Sequence, residues 1–539
     1  MDNGANYQLD DRLLSMAYPV AFSANTLIAA VKEKRSLESI KAYLGSYQDR
    51  PDFKESMSND AWPALYHAAE QNSAELMSVL LQYNIDINAV HERFPTPLLA
   101  FVITEGYREA MDTTRVAKLL LACGADPNSI PKDMWIKYLE TPREEAEFSG
   151  NSVDAASAWC TQEERSKLAL SLHLTHRYLL HLANRLPKTN ARSIQIAEAY
   201  NMSDLLKLPY FLIGQRPAAD FVMRSIFSHV ALRRDYPFVM AFAGASGLGK
   251  TEMARALGDL LSVKTTVIDC AATRDSWALF GPTAGWNRNQ DGSILNNFLA
   301  DNTEERSVVF LDEFDKTREE VRDALLLITE NGNYVDRRTN TPVDCTKTIW
   351  IIATNYGSAL IDNYYAEHIE KLSEDKKDKV NLKPLQSALK QAYKNMFKAP
   401  FTGRISLIVP FLPFTPSERS VIVHKFVLAF STRIRQPIDR TPKAERFFGH
   451  CRLTLIEDGK ICNALSAQFD DKDTGARELK RAVEKMEDQF VEEHNKRDRV
   501  ITEDVNDGAL QCFVVRRTAG GDDAQGVTVY AVEDEEGGL

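Results

Sequence analysis

Gly244, Ala245, Ser246, Gly247, Leu248, Gly249, Lys250 and Thr251 fit the pattern G-x-x-x-x-G-K-[ST]. Glycines at this spacing let backbone N–H groups close around phosphate oxygens at the start of a helix. The lysine then reaches the β- and γ-phosphates of ATP, and the threonine hydroxyl binds Mg²⁺. A second constellation follows. Val308-Val-Phe-Leu is an apolar run ending in two acids, Asp312 and Glu313. At a strand's C-terminal edge, where open α/β sheets bind ligands, Asp312 suits Mg²⁺, often through water, and Glu313 suits polarising the attacking water. Ile349-Trp-Ile-Ile-Ala-Thr ends in Asn355, an amide that can position that water near the γ-phosphate. A D-E pair alone is usually just solvated. Following a phosphate loop, and followed by Asn355, it describes hydrolysis.

The elements that must hold these residues are legible nearby. Phe238–Ala243 is an apolar run of buried-strand length, and Glu252–Leu261 reads as the helix after the loop. The fold class expected is α/β, a P-loop parallel-sheet module beginning near Tyr210. Thr415-Pro-Ser-Glu418 is a capping box with proline at the first helical position, opening a small helical subdomain. Thr474 caps a helix beginning near Gly475, whose apolar stripe is Leu479, Ala482, Val483, Met486 and Phe490. That stripe leaves Arg477 near the helix start. Leu510–Val515 and Val527–Ala531 flank a Gly-rich turn and read as a hairpin, and residues 533–539 as a disordered acidic tail.

Upstream lies an internal repeat. Pro63-Ala-Leu65 recurs as Pro95-Thr-Pro-Leu98, Val79-Leu-Leu81 as Leu119-Leu-Leu121, and Asp86-Ile-Asn88 as Asp126-Pro-Asn128. The first spacing is 33 residues and the others are longer, which puts an insertion near Tyr107–Thr113. This texture resembles ankyrin repeats, an all-α stack that binds protein, with a generic stack of helical hairpins as the alternative. Ser166–Leu186 has helical spacing. His173, His176 and His181 do not share one helical face, so they read as solvated or core histidines, not as metal ligands. The expected division is 1–135 repeats, 136–205 helical linker, 206–412 large P-loop subdomain and 413–535 small C-terminal subdomain.

Composition narrows the partners. The 539 residues carry a formal net charge of −11, against a broad nucleic-acid footprint. Seven cysteines without a Cys-x-x-Cys pair point to a reducing compartment, with neither zinc nor a disulfide framework. Leu13–Val31 is uncharged, but Asp2, Asp10 and Asp11 precede it, which suits a buried helix better than a signal or transit segment. No other stretch approaches a membrane span. The compartment expected is the cytoplasm, with mitochondria left open.

Taken together, these residues resemble the AAA+ ATPases, and more closely their Clp class of protein unfoldases and disaggregases. Ile213-Gly-Gln215 is similar to the entry signature of a Clp module. Leu279-Phe-Gly281 through Gly285-Trp286-Asn-Arg to Gly292 resembles the stretch carrying the pore loop. Leu326–Gly332 with Val335-Asp336 resembles the helix and hairpin after the acidic pair. Pro400–Ile405 resembles the arginine-finger segment, and Gly475-Ala-Arg477 the sensor-2 motif. The resemblance covers about residues 210–535. Joined to ankyrin-like repeats, it resembles the ankyrin-bearing Clp disaggregases of animal mitochondria. It implies that Arg404 acts on a neighbour's γ-phosphate in a homo-hexamer, that Arg477 contacts nucleotide, and that Trp286 grips a polypeptide substrate. The pore loop departs from the family: Asn287 and Arg288 stand where an apolar residue and a glycine are usual. The function implied is an ATP-driven protein unfoldase or disaggregase, with the repeats selecting substrates or partners. A nucleotide-regulated interaction scaffold is the alternative, and nucleic-acid remodelling a third reading that the charge disfavours.

Overall fold

A strand buried on both faces is apolar at every position, and Phe238–Ala243 is such a strand, β1. The computed structural model describes residues 22–83, 85–90, 94–109, 111–144, 158–273, 275–282, 291–441, 446–468, 475–496, 505–518 and 526–532. Among these, the chain forms two compact units: one drawn from Pro187–Ile422 and Ser466–Ala482, the other from Met1–Leu186, Val423–Leu465 and Val483–Leu539.

The first unit holds β1 with β2 (Lys264–Asp269), β3 (Ser307–Asp312), β4 (Asn333–Val335), β5 (Pro342–Asp344), β6 (Thr348–Thr354) and β7 (Leu407–Pro410). Five of them form a parallel sheet in the order β2-β3-β6-β1-β7. Alternate β1 side chains enter two apolar layers. Val239, Ala241 and Ala243 join Val309, Leu311, Trp350 and Ile352, while Phe238, Met240 and Phe242 join Val308, Phe310, Ile349 and Ile351. Helices Arg216–Ala231 and Lys250–Leu261 cover the second layer, and Ile294–Asp301, Glu319–Asn331 and Lys383–Arg404 the first. Burying each large side chain fully contributes about 1.5–3 kcal/mol. Beyond β7, Gln215 takes the place of a neighbouring strand: its amide donates to Leu412 O at 2.8 Å and accepts from Leu412 N at 3.2 Å. The capping box forms as read, with Thr415 N donating to Glu418 at 2.8 Å and Glu418 N to Thr415 Oγ1 at 3.2 Å. Helix Lys383–Arg404, kinked at Lys398, runs through Arg404, and β7 begins only at Leu407.

In the other unit the N-terminal region is a series of helical hairpins. Pro63–Glu70 pairs with Ala74–Leu81, and Leu98–Arg108 with Thr114–Ala122. The extra residues of the later hairpin lengthen its leading helix to Arg108 and widen the connector to Glu109–Thr113. Both D-x-N pieces fold into the same Asx turn, with Asn88 N on Asp86 at 2.9 Å and Asn128 N on Asp126 at 3.0 Å. Asn88 then reaches the next turn, donating to Gly124 O at 3.0 Å and accepting from Asp126 N at 2.8 Å. Helix Ala24–Lys32 buries Leu27 and Val31; residues 1–21 lie outside the described residues. The C-terminal hairpin, β9 (Gln511–Arg517) with β10 (Val527–Ala531), gains a strand the sequence did not announce: β8 (Cys451–Leu455) lies parallel to β9. The tail 533–539 falls outside the described residues. Among the described residues no cysteine forms a disulfide.

A buried polar cluster ties distant segments of this unit together. Arg177 donates to Asp458 at 2.6 and 3.2 Å, to Leu172 O at 2.6 Å and to Tyr138 O at 2.8 Å. Burial pushes the Asp458 carboxyl up, yet Arg177 leaves it below its ordinary value. Beside this pair, His173 and His176 stack at 3.6 Å, and His424 accepts from or donates to Thr175 Oγ1 at 2.7 Å. Burial drives the His424 pKa down to about 4, with the Asp458 charge opposing and the Arg177 charge assisting.

A histidine held neutral in the fold titrates at ~6.5 once unfolded. Below that pH the unfolded chain binds the extra proton, so stability present above ~6.5 is lost as pH falls toward 4. The expected loss from His424 is about 3 kcal/mol at pH 4. Urea melts of this unit's signal between pH 7 and 4 should show it, and His424→Gln should flatten the slope. An unchanged slope in that variant would contradict the buried neutral ring.

Candidate functional site

The loop 244–249 leaves the C-terminal end of β1 and turns directly into helix Lys250–Leu261. Gly249 sits at φ +92, and a Cβ there would lie 3.0 Å from Leu212, so glycine is required for the turn. The first N–H groups of the helix have no intrahelical acceptor and carry the positive end of its dipole. Lys250, only 7% exposed, folds back over the loop. Its Nζ donates to Gly244 O at 2.6 Å, to Ala245 O at 2.8 Å and to Asn355 Oδ1 at 2.9 Å. Burial lowers its pKa to about 8, against the opposing charges of Asp312 and Asp315.

The ends of β3 and β6 complete the group. Thr251 Oγ1 donates to Asp312 Oδ2 at 3.1 Å, and Asp312 Oδ1 accepts from Glu313 N at 3.0 Å. Glu313 is exposed and left-handed at φ +51, turning the chain out of β3. Asn355 follows β6 directly. Lys250, Thr251, Asp312, Glu313 and Asn355 are thus gathered at one edge of the sheet. A buried ammonium beside a helix N-terminus fits a polyphosphate, and a hydroxyl touching a carboxylate is an oxygen set that fits Mg²⁺.

Arg477 belongs to the same site. Its helix, Ala476–Asn495, starts with Ala476 N donating to Gly247 O at 3.0 Å. Gly475, at φ +55, lies so close to the loop that a Cβ would stand 2.8 Å from the Gly247 carbonyl. Arg477 is exposed, and its charge contributes to lowering the Lys250 pKa. Arg404 is engaged elsewhere, donating to Glu330 at 2.7 Å and to Pro400 O at 2.5 Å. Trp286 lies outside the described residues. Among the described residues, no group of His, Cys, Asp or Glu side chains forms a metal cluster. Asp315 was not singled out from the sequence, although an acid in the turn after Asp312 and Glu313 was a visible signal. It accepts from Thr354 Oγ1 at 2.9 Å and from Asn355 N at 3.3 Å.

With this geometry in place, similarity to known proteins becomes informative. Residues 237–408 match the family model of the AAA domain (Cdc48 subfamily). The chain is 25% identical over 502 residues to a mitochondrial disaggregase of Bos taurus, across 80% of this chain and 69% of that one. It is 29% identical over 252 residues to the chaperone protein ClpB of Chlamydia caviae, across 46% of this chain but 26% of that one. Among solved structures it is similar to a closed-state cryo-EM reconstruction of Hsp104 with ATPγS and FITC casein. That likeness has 15% identity and a TM-score of 0.45, over 97% of this chain and 88% of that one. No helix among the described residues is long and apolar enough to cross a membrane.

A buried ammonium held by carbonyls costs stability that the bound nucleotide offsets. Lys250→Met should therefore abolish nucleotide binding while leaving the nucleotide-free protein as stable as its parent or more so. Calorimetric titration with ATP beside a melting curve checks both. A clear drop in melting temperature would contradict this account of Lys250.

Proposed function

We infer that this chain, an AAA+ ATPase of the Clp class, couples ATP hydrolysis to unfolding or disaggregating protein as a ring of identical subunits. The observation that carries the reading is the meeting of Lys250, Thr251, Asp312 and Asn355 at one sheet edge, in a chain similar to a disaggregase along most of its length. Loop residues Gly244–Thr251 hold the phosphates. Thr251 and Asp312 would hold Mg²⁺, which would supply positive charge against that of the phosphates. Glu313, exposed at the end of β3, takes the proton of the attacking water, and Asn355 orients that water. Arg477, at the helix start beside Gly247, contacts the nucleotide.

Arg404 serves a neighbouring subunit, and a homo-hexamer supplies that neighbour. An arginine provided this way is worth ~10³–10⁵ in rate. Trp286 grips an extended polypeptide. The hairpin stack, read as ankyrin-like repeats, presents substrates or protein partners. The similarity to a mitochondrial disaggregase and to ClpB supports the choice of protein as substrate.

Glu313→Gln should bind ATP with near-parental affinity yet lose hydrolysis and the reactivation of an aggregated reporter enzyme. Trp286→Ala should keep basal hydrolysis and lose reactivation, with tyrosine restoring it. Single-turnover ATPase and reporter reactivation measure these. Parental hydrolysis by Glu313→Gln would remove the assigned carboxylate. Reactivation by a stable Trp286→Ala protein would remove threading.

A further inference from the structure

We propose that Asp315 is a positioning residue for ATP hydrolysis, holding Asn355 in place opposite Lys250. The proposal rests on the reading of Asn355 given above. The turn Phe314–Lys316 follows Glu313 without a break. Phe314 is fully buried and packs on Phe397 at 5.5 Å and Phe401 at 5.1 Å, which fixes the turn. From it the Asp315 carboxylate, 11% exposed, reaches across to the end of β6. Its Oδ1 accepts from Thr354 Oγ1 at 2.9 Å and from Asn355 N at 3.3 Å. Thr354 Oγ1 in turn accepts from Tyr356 N at 2.9 Å. The backbone on both sides of Asn355 is thereby pinned.

The Asn355 side chain turns its oxygen to Lys250 Nζ at 2.9 Å. Its remaining polar group is the NH₂, which can only donate. A water held between this donor and Glu313 needs a fixed separation between them. Asp315 sets that separation, because it belongs to the turn that begins at Glu313 and bonds to the residue that carries the amide. A misplacement of about 1 Å at such a site costs ~10²-fold in rate. The Asp315 charge also opposes the burial that lowers the Lys250 pKa, so it lies close enough to influence the phosphate-facing ammonium.

The test uses the full-length chain at saturating ATP, with kcat and nucleotide affinity measured separately. Asp315→Ala should lower kcat between ~10- and ~10²-fold while ATP affinity stays within about threefold. Asp315→Asn keeps an acceptor oxygen for Thr354 and Asn355 and should recover most of the rate, which a purely electrostatic role would not allow. In an Asn355→Ala background, Asp315→Ala should add no further loss, because the two act through one group. If Asp315→Ala fails to fold, Thr354→Val removes one of the two donors and should lower kcat by a smaller factor with affinity kept. Parental kcat in Asp315→Ala or Thr354→Val, with Asn355→Ala impaired, would overturn the proposal and leave the reading of Asn355 standing. Parental kcat in Asn355→Ala would overturn that reading, and this proposal with it.

Discussion

The nucleotide site depends on one buried positive charge. Lys250 is almost fully enclosed, and its ammonium is satisfied by two loop carbonyls and Asn355. An unpaired charge at that depth would cost several kcal/mol, so the surrounding fold must deliver acceptors at fixed positions. The sheet does so because β1 lies between β6 and β7, buried in two apolar layers, and cannot shift without unpacking both. The end of β1 supplies the loop, the end of β6 supplies Asn355, and the neighbouring end of β3 supplies Asp312. The lysine proposed to meet phosphate thus draws its acceptors from the loop after β1 and from the end of β6.

Two further contacts connect this charge to the rest of its unit. Gly475 brings the start of helix Ala476–Asn495 against the phosphate loop so closely that no side chain fits between. Any displacement of the loop would therefore be felt at that helix. Phe314, one residue past Glu313, packs on the helix that ends in Arg404. Arg404 itself is held by Glu330, whose side chain is 58% exposed. A pair that exposed is worth about 0–1 kcal/mol. Redirecting Arg404 to a neighbour's phosphate costs little beside what such an arginine contributes to phosphoryl transfer, which makes the trans role proposed for it energetically reasonable.

Much of this was readable in the chain where the signal was short-range. The extent of β1, the phosphate loop, the acids closing β3, Asn355 closing β6, the capping box at Thr415 and the β9–β10 hairpin all rest on patterns within a few residues. What stayed hidden was long-range. Gln215 bonding to Leu412, Asp315 reaching Asn355 and Arg177 meeting Asp458 pair residues that no local pattern relates. Strand β8 escaped because its partner β9 lies far along the chain and runs parallel, without a turn to announce it. The N-terminal repeat was visible because its D-x-N turns recur, and the structure gives a physical reason: each makes the same Asx turn.

In the ring proposed for this chain, a second copy completes the nucleotide site. Mixing two inactive variants tests it most directly. Glu313→Gln subunits retain Arg404 but cannot activate water, and Arg404→Ala subunits retain Glu313 but offer no arginine to a neighbour. In a mixed ring, the arginine of the first serves the intact Glu313 of the second. Steady-state ATP hydrolysis by the mixture should rise well above the summed rates of the separate variants, and most strongly near equal proportions. A mixture that hydrolyses ATP only at the summed rate would contradict a site shared between subunits.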